Sequence, residues 1–177
     1  MKINKIHFFT FATNKNHHLD RLLSSSKKHG IDIKILGMGE AYQGNGMKIT
    51  LLLDALQSLS EDDYFMYVDA YDVIFLTNEE EIIQKYSKEY TNELVFGGEQ
   101  NFGMYSFDDI YYYLKYPLKN DQFKFLNAGT MMGPAQTAIS IYQDINMSKS
   151  QKSDQDRKST RLNSSHRCIS YAVFCLK

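Results

Sequence analysis

Apolar positions along this chain fall into two periods that alternate in order. Ile3 to Thr13 is rich in Ile, Phe and Thr and reads as a first buried strand. A helix follows, capped by Asn16 or a neighbour and stopped by Gly30, with Leu19, Leu22 and Leu23 on one face. Ile31 to Leu36 alternates as a second strand, and Met47 to Leu59 carries Ile49, Leu52, Leu53, Leu56 and Leu59 at helical spacing. Tyr64 to Val68 and Val73 to Leu76 are strands. Glu79 to Tyr90 is a helix with Asn78 as its cap and an acidic first turn that suits the helix dipole. Leu94-Val95-Phe96 is a further short strand, and residues 99–122 read as a tyrosine-rich insertion with one helix. Phe125 to Gly133 is a strand with a bend, and Pro134 at the first helical position starts a last helix to about Ile145. Strands alternating with helices predict a layered α/β fold.

One strand ends unusually. Tyr64-Phe65-Met66-Tyr67-Val68 runs into Asp69-Ala70-Tyr71-Asp72 and returns at once to Val73-Ile74-Phe75. A strand apolar on both faces calls for burial under helices on each side, and carboxylates at its end need compensation for lost water. Mg²⁺ or Mn²⁺ is one compensator, since hard cations take oxygen ligands and bridge to phosphate. Sugar-nucleotide glycosyltransferases need such a site to neutralise the departing diphosphate. The plainer alternative is an acid pair that caps the next helix or meets solvent.

The composition, 43% hydrophobic and 14% aromatic over 177 residues, suits one globular domain with a substantial core. Charge is unevenly placed. From Arg157 onward the chain has five basic side chains and no acid, so residues 1–156 hold 15 basic against 21 acidic groups, a net of −6. That acidic body argues against nucleic acid as a partner. Both cysteines, Cys168 and Cys175, also lie in the last stretch, so the body offers neither a disulfide nor a thiolate metal site. No secretory leader and no membrane helix of roughly 20 apolar residues is read, and the expectation is a cytoplasmic protein. Residues 157–177 resemble translated sequencing-adapter read-through. They are expected to be a non-native tail that completes no sheet, behind an incomplete domain of residues 1–156.

Gly37-Met38-Gly39-Glu40-Ala41-Tyr42 begins like a dinucleotide fingerprint, but Tyr42 stands at the sixth position and the helix starts later. A mobile loop fits better, with Tyr42 stacking on a base and Lys48 reaching phosphate; the alternatives are a surface aromatic and a solvated helix charge. Asn127, between Phe125-Leu126 and a glycine turn, binds a sugar hydroxyl or ties down the turn. His17-His18 read as solvated surface, and Met131-Met132 as core filling.

Seven segments in order carry a family resemblance: Thr10-Phe11-Ala12-Thr13, Leu36 to Tyr42, Gly44-Asn45-Gly46-Met47-Lys48, Val68 to Ile74, Tyr116-Pro117, Phe125 to Gly129, and Asp154-Gln155-Asp156. Together they resemble the glycosyltransferase domain of the procollagen-lysine hydroxylase/glycosyltransferase (lysyl hydroxylase) family. The resemblance implies a GT-A fold with a mostly parallel central sheet, and transfer of a hexose from a UDP-sugar to a hydroxyl acceptor, hydroxylysine in the family, with Mn²⁺ or Mg²⁺. It also implies roles by position. Asp69 and Asp72 would hold the metal. Tyr42, where the family has Trp, and Tyr71 would sandwich the uracil. Thr13 would contact the nucleotide, Lys48 the diphosphate, and Asp154 would lie near the acceptor and donor sugars, with Asn127 the second candidate catalytic residue on the reading of its own surroundings. The family's third metal ligand is a histidine beyond the Asp-Gln segment; His166 lies in the suspect tail and is not assigned that role. The rivals are a non-catalytic nucleotide- or glycan-binding module and a metal-dependent phosphohydrolase, the latter leaving the glycine loop and Tyr42 without a role.

Overall fold

The computed structural model describes residues 3, 5–99, 125–145, 168–169 and 175–176. The strands are β1 (Ile6–Phe11), β2 (Ile33–Leu36), β3 (Tyr64–Val68), β4 (Ile74–Phe75), β5 (Val95–Glu99), β6 (Phe125–Pro134), β7 (Cys168–Ile169) and β8 (Cys175–Leu176). The helices are α1 (His17–Lys28), α2 (Gly46–Gln57), α3 (Glu79–Glu89) and α4 (Ala135–Ile145). Pro134 closes β6, one residue before the helix it was expected to open.

Six strands form one sheet in the order β2-β1-β3-β6-β5-β7. β1 pairs in parallel with β2 and β3, and among the described strands of this sheet β6 alone runs against its neighbours. The sheet is therefore mostly parallel, and β1, β2 and β3 deliver their C-terminal ends to one edge. All five residues of β3 are buried, as a central strand covered on both faces requires. Phe65 and Tyr67 face a cluster with Ile49, Leu52 and Leu56 of α2 and Ala138 and Tyr142 of α4. Tyr64, Met66 and Val68 face the other side, with Leu19 and Leu22 of α1 and Ile82 and Tyr86 of α3. The period of two in the strand thus feeds two separate helix layers.

The helix starts follow their caps. Asn16 Oδ1 accepts the Leu19 N–H at 2.9 Å, and Asn78 Oδ1 accepts the Glu81 N–H at 3.0 Å. β6 carries the expected bend. Phe96 is opposite Met131, but Gly97 is already opposite Asn127, so Ala128 to Thr130 bulge away from β5. Thr130 nevertheless stays in register with Val68 of β3.

Residues 157–177 were expected to add nothing to the sheet, and here the backbone differs. Cys168–Ile169 pairs in parallel with β5, and Cys175–Leu176 pairs antiparallel with β4. Open strand edges present unpaired N–H and C=O groups, and any short extended apolar segment within reach satisfies them, whatever its origin.

Candidate active site

The end of β3, the start of α2 and the bulge of β6 meet at the C-terminal edge of the sheet. Tyr67 and Asp69 are two apart in the chain and so share the α2 face. Lys48, in the first turn of α2, reaches the same place: its Nζ lies 3.3 Å from Asp69 Oδ1 and 5.5 Å from the centre of the Tyr67 ring. The Tyr67 hydroxyl donates to that same Oδ1 at 3.3 Å. Lys48 is largely buried, with 14% of its side chain exposed against 32% for Asp69. The ammonium therefore sits inside the wall while the carboxylate keeps a face to solvent.

The bulge completes the cradle. The Asp69 N–H donates to the Gly129 carbonyl at 2.8 Å, and the Gly129 N–H donates to Asn127 Oδ1 at 2.6 Å. A Cβ on Gly129 would overlap Asp69 Oδ2 and stand 2.9 Å from both Asp69 Cγ and Asn127 Oδ1. Only a residue without a side chain lets the carboxylate lie against the strand here. The buried amide oxygen of Asn127 ties down the turn, which is compatible with either reading of that residue.

The glycine loop is fastened to β1. The Ala12 N–H donates to Leu36 O at 3.0 Å, and the Gly39 N–H to Thr13 O at 2.9 Å, so the structure gives Thr13 a main-chain role in holding the loop. Gly37 has φ +78°, and a Cβ there would stand 2.8 Å from the Phe11 ring. The loop carries Tyr42 outward, 58% exposed, with its ring 6.4 Å from that of Phe11 and its hydroxyl donating to Asn45 Oδ1 at 2.5 Å. Asn45 thereby leaves α2 without a side-chain cap. Tyr71 is also exposed, and its hydroxyl donates to Asn14 Oδ1 at 3.4 Å. Asp72 is exposed on the turn after β3.

Asp69, Lys48 and Asn127 are thus brought into one constellation, and Tyr42 and Tyr71 are exposed rings on two of its flanking loops. Asp154 and the tyrosines of 105–116 lie outside the described residues. Sequence reasoning missed Tyr67 and the exclusion at Gly129; the two-residue offset from Asp69 was the available signal for the first. His17 and His18 are exposed, as expected, with ring centres 3.8 Å apart. Among the described residues no group of three or more His, Cys, Asp or Glu is placed to hold a metal, and no helix is long and apolar enough to cross a membrane. The donors that are present suit a hard cation: two carboxylates on one turn, one of them cradled with a face to solvent, leave positions for phosphate and water.

A mostly parallel sheet between two helix layers, with an acid-bearing turn at its C-terminal edge, is the layered α/β arrangement that GT-A glycosyltransferases share. Among solved structures, the apo-form glycosyltransferase GlyE of Streptococcus pneumoniae TIGR4 superposes over 94% of this chain and 45% of its own, with a TM-score of 0.52 and 13% identity. The family model of the PLOD GT domain matches residues 2–158, and the chain belongs to that family. Its relatives include the multifunctional procollagen lysine hydroxylase and glycosyltransferase of Caenorhabditis elegans, 35% identical over 135 residues, which covers 70% of this chain and 18% of that protein. Procollagen-lysine,2-oxoglutarate 5-dioxygenase 2 of Mus musculus is 27% identical over 164 residues, covering 87% of this chain and 21% of that protein. The chain spans about a fifth of the length of these two relatives.

Proposed function

We propose that this domain binds a UDP-hexose through a divalent cation and transfers the hexose to a hydroxyl acceptor. The observation that carries the reading is the convergence of Lys48 and Asp69 beside the Gly129 cradle, at the sheet edge where parallel α/β folds bind ligands, in a chain of a glycosyltransferase family. Asp69 and Asp72 would hold Mn²⁺ or Mg²⁺, which when bound supplies Lewis-acid stabilisation of the leaving diphosphate. Lys48 would turn from Asp69 to a diphosphate oxygen, a short move for a flexible four-carbon stem. Tyr42 and Tyr71 would present their ring faces to the uracil, each with its hydroxyl tethered by an asparagine. Asn127 would keep the β6 turn in place beneath the donor. In the transfer the acceptor oxygen bonds to the anomeric carbon as its bond to the diphosphate oxygen breaks, and the acceptor proton passes to a base. Asp154 is the candidate carboxylate at the acceptor side.

The test is calorimetric titration of UDP with and without Mn²⁺, on the wild type and Asp72→Asn, followed by a transfer assay with UDP-hexoses. Mn²⁺-dependent binding that Asp72→Asn abolishes is expected. Metal-independent binding unchanged in the variant would remove the carboxylate assignment. Release of free phosphate without sugar transfer would favour a phosphohydrolase.

A further inference from the structure

Asp69 is held from several directions, and one contact comes from a residue that the proposed reaction does not use. Tyr67 is fully buried in β3, its ring packed in the α2–α4 layer. A buried tyrosine needs a partner for its hydroxyl, and this one donates to Asp69 Oδ1. Lys48 meets the same oxygen from the helix side, with its Nζ over the Tyr67 ring. One aromatic side chain therefore touches both charged groups, through its hydroxyl edge and through its face. The other carboxylate oxygen lies in the space that a side chain at residue 129 would occupy. Oδ1 is thus fixed by two donors and Oδ2 by the glycine cradle, which leaves the carboxylate little freedom to rotate.

We infer that Tyr67 is a positioning residue that sets the orientation of the Asp69 carboxylate and the resting place of the Lys48 ammonium. This rests on the reading of Asp69 as a cation ligand. Preorganisation is the physical gain: a carboxylate already turned by a buried hydroxyl loses less freedom when a cation arrives. Tyr67 would act through Asp69 and Lys48, not on the cation or the donor directly. Tyr64 supplies the contrast within the same strand. It faces the opposite layer, where its hydroxyl donates to Thr91 O at 3.0 Å and Asn92 Oδ1 at 2.8 Å.

The experiment pairs two measurements. In the first, a double-mutant cycle of Tyr67→Phe and Asp69→Ala is read by urea denaturation without ligand. Phe keeps the ring and its packing and removes only the hydroxyl. Non-additive midpoint shifts are expected, and additive shifts would overturn the inference whatever the protein binds. In the second, UDP affinity in saturating Mn²⁺ is compared for the wild type, Tyr67→Phe and Tyr64→Phe. A hydrogen bond to a charged group sets the scale, and about a tenfold loss is expected for Tyr67→Phe. Tyr64→Phe should lower the denaturation midpoint yet keep the wild-type affinity. Equal affinity of Tyr67→Phe and wild type would overturn the positioning role. Wild type that does not bind Mn²⁺ and UDP would instead overturn the cation-site reading, and the stability cycle would then decide the Tyr67–Asp69 link by itself.

Discussion

Gly129→Ala is the sharpest single perturbation of the site. The added methyl would overlap Asp69 Oδ2 and stand 2.9 Å from Asp69 Cγ and Asn127 Oδ1. Relief requires one of two movements. Asp69 can swing away, giving up its bonds to Lys48 and Tyr67, or β6 can draw back from β3, giving up the 2.8 Å bond from the Asp69 N–H to Gly129 O. Overpacking a tight site costs about 1–3 kcal/mol, and each lost hydrogen bond adds about 1 kcal/mol. A loss of about 2–4 kcal/mol in stability is expected if β6 yields. At a urea slope of about 2 kcal/mol per M, the midpoint would fall by about 1–2 M. If Asp69 yields, the two bonds it gives up cost about 1 kcal/mol each, and Mn²⁺-dependent UDP binding is lost as well. Gly133→Ala is the control: its Cβ would meet Glu93 O at 2.7 Å and Leu94 Cα at 2.9 Å, with no contact to the carboxylate. It should destabilise and, in the folded fraction, bind normally. Gly129→Ala with both its midpoint and its affinity at wild-type values would refute the cradle.

Three further outcomes follow from the same geometry. Tyr42→Ala should weaken UDP binding by about 1–3 kcal/mol, the scale of one base–aromatic stack, while Tyr42→Phe should keep most of the affinity in calorimetry. Burial, reinforced by Tyr64, Glu93 and Tyr90, raises the Tyr86 phenol well above its ordinary range, and burial with Asp62 and Glu93 raises Tyr64. Because the unfolded chain ionises first, the stability these groups contribute is complete below about pH 10 and is lost as pH rises further; melting temperatures should show a decline above that pH that Tyr86→Phe makes shallower. Deleting residues 157–177 should raise solubility and leave Mn²⁺-dependent UDP affinity unchanged; loss of binding would show that the β4 and β5 pairings belong to the working domain.

Much of the frame was legible because single segments specify it. β3 announced itself by apolar residues on both faces, and Asn16 and Asn78 marked helix starts that the structure keeps within hydrogen-bonding distance of their third residues. The acid pair could be placed at a strand end for the same reason. The neighbours of Asp69 could not, because each depends on pairing across the fold. Lys48 is 21 residues away, and its approach requires the crossing of α2 over β3. The Gly129 cradle exists only because β6 follows β3 at Thr130 while leaving β5 between Met131 and Asn127. No local pattern encodes a register held by two neighbours at once.

An acid closing a buried strand had suggested compensation by a bound cation, but the chain also supplies its own: an ammonium, a phenol hydroxyl and a glycine cradle surround Asp69. This makes the order of ligand binding a physical question with a definite sign. Mn²⁺ arriving alone must compete with Lys48 for the Asp69 charge. UDP arriving alone meets two carboxylates, with Lys48 among the described residues to offset them. On the proposed reading, the diphosphate would draw Lys48 off Asp69 and the cation would take its place, so each ligand would remove the cost of binding the other. Coupling between sites is reciprocal and typically amounts to about 5–150-fold. Lys48→Met keeps the stem and removes the charge. It should therefore tighten Mn²⁺ binding in the absence of nucleotide while weakening UDP binding in its presence, a crossed effect that simple loss of folding cannot produce. Calorimetry of each ligand, alone and with the other saturating, reads both changes. If Lys48→Met weakened Mn²⁺ and UDP alike, the ammonium would be a structural strut for Asp69, and the exchange between carboxylate and diphosphate would have to be abandoned.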